Sequence, residues 1–285
     1  MSAAALDHVG VCSARPEALW AAYERLGFLL TPVARQSGPR APGLPPERLG
    51  TGNRCAMLRQ GYLELLGLVE PGLFDNGLSR LLARYEGLHI LAFGVPDAAA
   101  ELPRLHSAGF DIPAPVPLQR PLDDAAPDGP LARFSRLPLP DAPEGRLQLI
   151  QHHTPELLWQ EKWLSHPNRA VALEEAILAV DAPAETAARL SRLTGGVLEP
   201  DPAGGFMLPL AAGRLRILPP AAVAAVLPGV VPPVLPFIAG FVVRTDDNNR
   251  AAAHRLAGLG IAKAPGGGIL VPPALAGGAA LVFRA

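Results

Sequence analysis

The sequence predicts an α+β protein built from four copies of one βαβββ module, and two observations carry that reading. The first is a recurring order along the 285 residues: a short apolar strand, an amphipathic helix closed by glycine, then two apolar strands joined by a turn. The second is the punctuation, since 33 prolines and 29 glycines fall largely where these elements stop. One helix for every three or four strands places helices on one face of a sheet and leaves the other face free to curve around a ligand.

Module one opens with the strand Leu-Asp-His-Val-Gly-Val at residues 6–11. A helical stretch from Pro16 follows, with Leu19, Trp20, Tyr23 and Leu26 on one face, closed by Gly27, and a second apolar run begins at Phe28. Module two has its strand at 87–93, Asp97 as helix cap, Leu102 and Leu105 on the helix, and Gly109 at its end. Module three runs from the strand at 175–180 through Asp181 and a helix carrying Leu190 and Leu193 to Gly195 and Gly196. Module four has a strand at 237–243, Asp246, a helix through Leu256, and Gly260. Asp or Pro at the helix start and Gly at the stop satisfy the free backbone groups of helix ends. The back halves pair 54–58 with 62–66, 132–137 with 147–151, 206–210 with 215–218, and 269–271 with 281–283. Residues 154–171, with Trp159 and Trp163, read as a surface-packed linker, so the chain divides into 1–153, the linker 154–171, and 172–285.

Composition narrows the function. With 49% hydrophobic and 18% charged residues the chain is not disordered, and a net charge of −1 gives no general attraction to nucleic acid or anionic lipid. Cys12 and Cys55 are too few for a disulfide framework and read as buried thiols. With no basic and apolar leader at the start, they point to a cytoplasmic protein. Residues 218–243 carry no charge and could span a bilayer by length, but Pro219, Pro220, Pro228, Pro232, Pro233 and Pro236 make them a buried loop entering a strand. No dinucleotide fingerprint, phosphate loop or nucleophile elbow is present. The expected partner is a small molecule, and the protein is expected to be a monomer or a homodimer.

Five segments resemble the vicinal oxygen chelate superfamily of glyoxalase I, extradiol ring-cleaving dioxygenases and bleomycin-resistance-type binding proteins, and its glyoxalase-like domains most of all. They are the first strand, Ala-Tyr-Glu-Arg-Leu-Gly-Phe at 22–28, Gly-Thr-Gly-Asn-Arg at 50–54, Gly-Tyr-Leu-Glu-Leu-Leu-Gly at 61–67, and Leu-Ile-Gln-His-His-Thr-Pro-Glu-Leu-Leu at 149–158. The resemblance implies paired modules, one with two and three with four, forming two domains. It also implies a metal held by the first and last strands of a pair. Carried over, those positions are His8 and Glu64 in module one and His89 and Gln148 in module two; Glu175 or Ala176, Arg216, Ala239 or Gly240, and Val282 give modules three and four no matching set. The implied activity is that of an isomerase or lyase in which a divalent Fe, Mn, Ni or Zn chelates a small substrate through vicinal oxygens. Two histidines and one carboxylate also permit an Fe(II) extradiol-type dioxygenase. A neutral Gln148 favours a non-catalytic binding protein.

Read by themselves, His8 and His89 lie in apolar strands where an unpaired imidazole is costly to bury, and each is either a ligand or a hydrogen-bonded core residue. The separations His8 to Glu64 and His89 to Gln148, 56 and 59 residues, agree with a pseudo-twofold relation. His152 lies four residues beyond Gln148 and so on the same strand face, as a substitute ligand or general base, or else at an exposed strand end; His153 points away. Asn53 and Arg54 follow a Gly-Thr-Gly turn, where the arginine either grips a substrate oxygen or closes a strand end. Tyr62 alternates with Glu64 and either lines the site or packs across strands.

Overall fold

The computed structural model describes residues 3–40, 44–123, 125–126, 128–140 and 142–285. Module one is β1 (Ala5–Ser13), α1 (Pro16–Arg25), β2 (Ala34–Gly38), β3 (Glu47–Met57) and β4 (Tyr62–Leu68). Helix α2 (Leu78–Leu82) leads into module two, with β5 (Gly87–Gly94), α3 (Ala98–Ser107), β6 (Val116–Pro121), β7 (Leu131–Pro138) and β8 (Arg146–His152). Helix α4 (Pro155–Leu158) and a 3-10 turn at Glu161–Trp163 precede module three, made of β9 (Ala170–Ala179), α5 (Pro183–Thr194), β10 (Glu199–Pro200), β11 (Phe206–Pro209) and β12 (Arg214–Leu218). After α6 (Val223–Val226), module four comprises β13 (Phe237–Thr245), α7 (Arg250–Leu256), β14 (Ala262–Lys263), β15 (Ile269–Val271) and β16 (Ala280–Arg284).

One pairing rule is repeated four times. The first strand of every module lies parallel to its own last strand, as β1–β4, β5–β8, β9–β12 and β13–β16, and the first strands of paired modules meet antiparallel, as β1–β5 and β9–β13. In modules one and two this closes a ring, β1-β4-β3-β2-β6-β7-β8-β5 and back to β1, completed on the far side by a single β2–β6 contact at Ser37↔Gln119. Modules three and four form an open sheet, β10-β11-β12-β9-β13-β16-β15-β14, touching the ring where Ile238 of β13 meets Leu88 of β5.

The register of β1 on β5 decides which side chains enter the ring. Leu6 pairs with Phe93, His8 with Ala92, Val9 with Leu91, Gly10 with Ile90 and Val11 with Leu88, a pattern symmetric about Val9↔Leu91. Asp7 and His89 are the unpaired extra residues of two β-bulges and occupy equivalent positions. The counterpart of His8 is therefore Ile90, not His89, which corrects the sequence alignment by one residue and turns His89 to the other face. The last strands agree: His8 and Gly10 lie beside Tyr62 and Glu64, while Ile90 and Ala92 lie beside Arg146 and Gln148, so Glu64 and Gln148 are counterparts as expected. Across the first strands Ile90 fills the space over Gly10, where an added Cβ would come within 2.6 Å of it.

The helices cover the outside. Leu19, Trp20 and Tyr23 of α1, Leu105 of α3, Leu190 of α5 and Leu256 of α7 join the strands in one apolar core that runs through both halves. Helix α1 starts at Pro16 and stops at Gly27, whose φ of +89° suits glycine and which has Asn168 and Arg255 packed against it. Asp97 caps α3 by accepting from the Ala99 and Ala100 amides. Two expectations change. Phe28 and Leu30 are buried but belong to a loop, the second strand beginning only at Ala34. The segment 154–171 is a plug rather than a surface linker, with Leu158, Leu164, His166 and Asn168 all buried. Cys12 and Cys55 are buried free thiols, each pushed up to about 12 by burial. Among the described residues no helix is long and apolar enough to cross a membrane.

Candidate active site

The inside of the ring is packed at both ends and polar between them. Toward the far end of β4, Cys12, Leu66, Leu78 and Ile90 form one apolar cluster; toward its start, Met57, Tyr62, Leu158 and Leu164 form another, backed by Trp159 and Trp163. The intervening cavity is walled by polar side chains of both modules. The volume of this cavity is about 70 Å³.

Module one supplies an acid–base half. Asp7, set by its bulge, accepts from His8 Nδ1 at 2.6 Å and from His152 Nε2 at 3.2 Å. Burial alone raises its pKa, but the hydrogen bonds and charges of His152 and His8 outweigh it and hold the carboxyl well below the usual range. With Nδ1–H spent on Asp7, His8 turns Nε2 into the cavity, 4.0 Å from Glu64 Oε2. The His8 ring is stacked on Tyr62 at 4.3 Å. Glu64 is itself oriented, since its Oε1 accepts from Asn53 Nδ2 at 2.5 Å and Gln36 Nε2 at 3.2 Å, leaving Oε2 to face His8. His152 lies edge-on to Trp159 at 5.1 Å.

Module two supplies a different half. Gln148 lines the cavity with its Oε1 buried and without a hydrogen-bond partner. Around it stand Arg136 and Arg146, with Arg120 on β6 completing the wall. Burial pushes the Arg136 guanidinium down to about 10, Arg146 adding to the shift and Glu64 opposing it. None of these arginines was singled out in the sequence. Nor was Asp7, whose inward turn depends on a bulge no sequence pattern marks.

Of the residues singled out, His8, Glu64, Gln148, His152, Asn53 and Tyr62 share this cavity. His89 does not. It is fully buried outside it, with Nε2 2.7 Å from Tyr85 O and its ring stacked on Tyr85 at 4.0 Å, and burial pushes it down to about 4. Tyr85 packs on Phe237, so His89 belongs to the seam between the ring and β13. Arg54 also points away: its guanidinium bonds Thr31 O and Glu24 Oε1, each at 2.8 Å, and lies over the Trp20 ring. It fastens α1 and the 27–33 loop and does not reach a ligand in the ring.

These positions bear directly on the metal. With His89 outside, the expected ligand positions hold one imidazole, one carboxylate and one neutral amide; the cavity's other imidazole, His152, turns its Nε2 to Asp7, and three guanidinium groups share the space. Among the described residues no three His, Cys, Asp or Glu side chains gather to hold a metal ion. The side chains present do not fit the four-ligand divalent-metal centre implied by the resemblance, nor the two-His-one-carboxylate pattern of iron sites.

In modules three and four the equivalent place is filled by ion pairs. Glu175, fully buried, lies 2.6 Å from Arg214 Nε and 3.5 Å from Arg216 Nε, and Arg216 reaches Asp201 at 2.8 Å.

Two βαβββ modules related by a pseudo-twofold axis, with a polar cavity fed by both pairs of first and last strands, define a protein of the vicinal oxygen chelate class. The chain belongs to the glyoxalase-like domain family, whose model matches residues 6–194. A comparison with curated protein sequences finds no match. Solved structures that resemble it include a hypothetical protein from Staphylococcus aureus (13% identity, 98% of each chain, TM-score 0.61). A mutant of 4-hydroxymandelate synthase from Streptomyces coelicolor is 16% identical over 93% of this chain and 78% of its own, with TM-score 0.57. The Mn(II)-bound glyoxalase from Novosphingobium aromaticivorans is 13% identical over 99% of this chain and 82% of its own, also with TM-score 0.57. At such identities the likeness shows the fold.

Proposed function

We propose that the ring cavity is the active site of an enzyme of the isomerase or lyase type, moving a proton on a small oxygenated molecule. The observation that supports it is the Asp7–His8–Glu64 arrangement. Asp7 fixes the imidazole tautomer so that the Nε2 lone pair enters the cavity, and an imidazole placed this way is a general base. His8 Nε2 takes the proton from a carbon beside a carbonyl, and the C–H electron pair moves onto the carbonyl oxygen as an enolate. The resulting imidazolium is flanked by Asp7 and Glu64 and returns the proton to a neighbouring carbon or to a leaving oxygen.

A second reading, a binding protein without chemistry, is favoured by Ile90 and Gln148, an apolar and a neutral residue that stand where module one has His8 and Glu64. Exchange of substrate C–H protons for solvent deuterium, followed by NMR over a panel of small 2-hydroxy and 2-oxo carbonyl compounds, tests the two. The proposal expects exchange that survives chelator treatment and falls at least about a hundredfold in His8→Asn, the scale of a lost general base. No exchange with any compound that binds would favour the binding protein. Stoichiometric metal in protein purified without chelators, lost together with activity in His8→Asn and Glu64→Gln, would overturn the metal-free route.

A further inference from the structure

We infer that the module-two half of the cavity is an oxyanion site, so that the ligand is a small molecule with a carboxylate or phosphoryl group held by Arg120, Arg136 and Arg146. The inference rests on the ring cavity being the ligand site and adds the chemical class of what enters it.

The pseudo-twofold relation shows the division of labour. Where module one places His8, Tyr62, Glu64 and Asn53, module two places Ile90, Arg146, Gln148 and Arg136. Each acid–base or hydrogen-bonding residue of one half is answered by an apolar, neutral or cationic residue in the other. A ligand spanning the cavity thus has its reacting carbon at His8 and its negative charge at the arginines.

Their lack of partners points the same way. Arg120 is 7% exposed, and its guanidinium has only a 3.9 Å contact to Cys55 Sγ. Arg136 keeps its Nε buried with no hydrogen bond at all. Arg146 spends Nη2 on Asn76 O at 2.7 Å. Among the described residues no carboxylate forms an ion pair with any of the three. Elsewhere the same chain pairs its buried charges: Glu144 with Arg189, Glu175 with Arg214, and Asp201 with Arg216. An unpaired buried charge is strongly destabilising, so a buried Arg120 with the half-buried Arg136 and Arg146 beside it, none of them facing a carboxylate partner, marks a place where an anion completes the structure. Guanidinium also suits the task, because its planar donors match a carboxylate or phosphate two oxygens at a time.

Titration of the full-length protein at fixed ionic strength with malonate, with inorganic phosphate and with neutral malonamide, followed by calorimetry and by Tm, tests the site. Malonate or phosphate is expected to bind one to one and raise Tm, and malonamide to do neither; tighter malonate assigns a carboxylate and tighter phosphate a phosphoryl group. Arg120→Gln and Arg136→Gln are each expected to weaken the anion about tenfold or more, yet to raise the Tm of anion-free protein because an unpaired charge is gone. Arg189→Gln, which breaks a buried ion pair, is expected to lower Tm and leave anion affinity unchanged. His8→Asn should bind the anion as wild type does, so failure of the proton chemistry and failure of the anion site are read separately. The inference is overturned if neither anion binds or stabilises wild-type protein, a result that needs no variant to fold, or if both arginine variants bind as tightly as wild type.

Discussion

One residue of register separates this cavity from a metal centre. Ile90 stands where the pseudo-twofold axis asks for a second histidine, and His89, next in the chain, is turned to the outside by the bulge it forms. Ile90→His is therefore expected to bring a further imidazole beside His8, Glu64 and Gln148 and to strengthen divalent-metal binding, since among the described residues of the wild type no three His, Cys, Asp or Glu side chains gather to hold a metal ion, with His89→Ala as the control that changes no metal affinity. Binding of Ni(II) or Mn(II) by calorimetry checks this, and equal, weak binding by wild type and Ile90→His would show that the register is misassigned. The substitution is expected to lower metal-free stability by roughly 1–3 kcal/mol, because a polar imidazole replaces a branched aliphatic side chain over Gly10. At this scale the sequence was partly legible. Glu64 and Gln148 were matched correctly because leucines flank both in straight strands, whereas His8 and His89 were mismatched because bulges leave no mark on apolar periodicity. Arg136 was within reach: extending the repeat one strand further sets it against Asn53.

At the scale of elements, strands and helices announced themselves through period and punctuation, while the segment between modules two and three did not, since its burial comes from contacts far apart in sequence. His166 shows how it is tied down. Its Nδ1 accepts from the Leu29 amide at 2.9 Å and its Nε2 donates to Met57 O at 2.7 Å, so the neutral ring is fully used. Burial lowers its pKa below the ordinary 6.5, only partly opposed by the Met57 carbonyl. The sign then follows: below about pH 6.5 the unfolded chain binds a proton that the folded one refuses, so this contribution to stability is full at neutral pH and is lost as pH falls. His89, pushed down to about 4, acts in the same direction. Denaturant midpoints of wild type and His166→Asn measured at pH 7.5 and pH 5 should differ in slope, wild type losing up to about 1.4 kcal/mol more per pH unit. Equal slopes would show that His166 is not held neutral by its two bonds.

The whole molecule is divided by its sheets but not by its core. Strand pairing separates the ring from the open sheet, yet the Ala4 and Leu6 amides donate to Thr194 O and Ala212 O at 2.8 and 2.7 Å. Tyr23 Oη donates to Ala276 O at 3.3 Å, and Phe28 stacks on Phe283 at 5.8 Å. Helix α1 of the ring is thus packed against module four, and the degenerate half, although its own site is filled by ion pairs, supplies part of the ring's outer wall. The consequence is cooperativity: the two halves should unfold in one transition rather than two. The tryptophans make this measurable, because Trp20, Trp159 and Trp163 all precede module three. Fluorescence therefore reports the ring and its plug, whereas far-UV circular dichroism reports both halves. The two probes are expected to give one midpoint in wild type. Phe283→Ala, a fully buried change in the last strand, is expected to lower both midpoints together by the equivalent of about 3–5 kcal/mol. A fluorescence midpoint that stayed in place while the circular dichroism midpoint moved would mean that the ring is stable by itself, and that modules three and four are an appendage to the site rather than part of what holds it in shape.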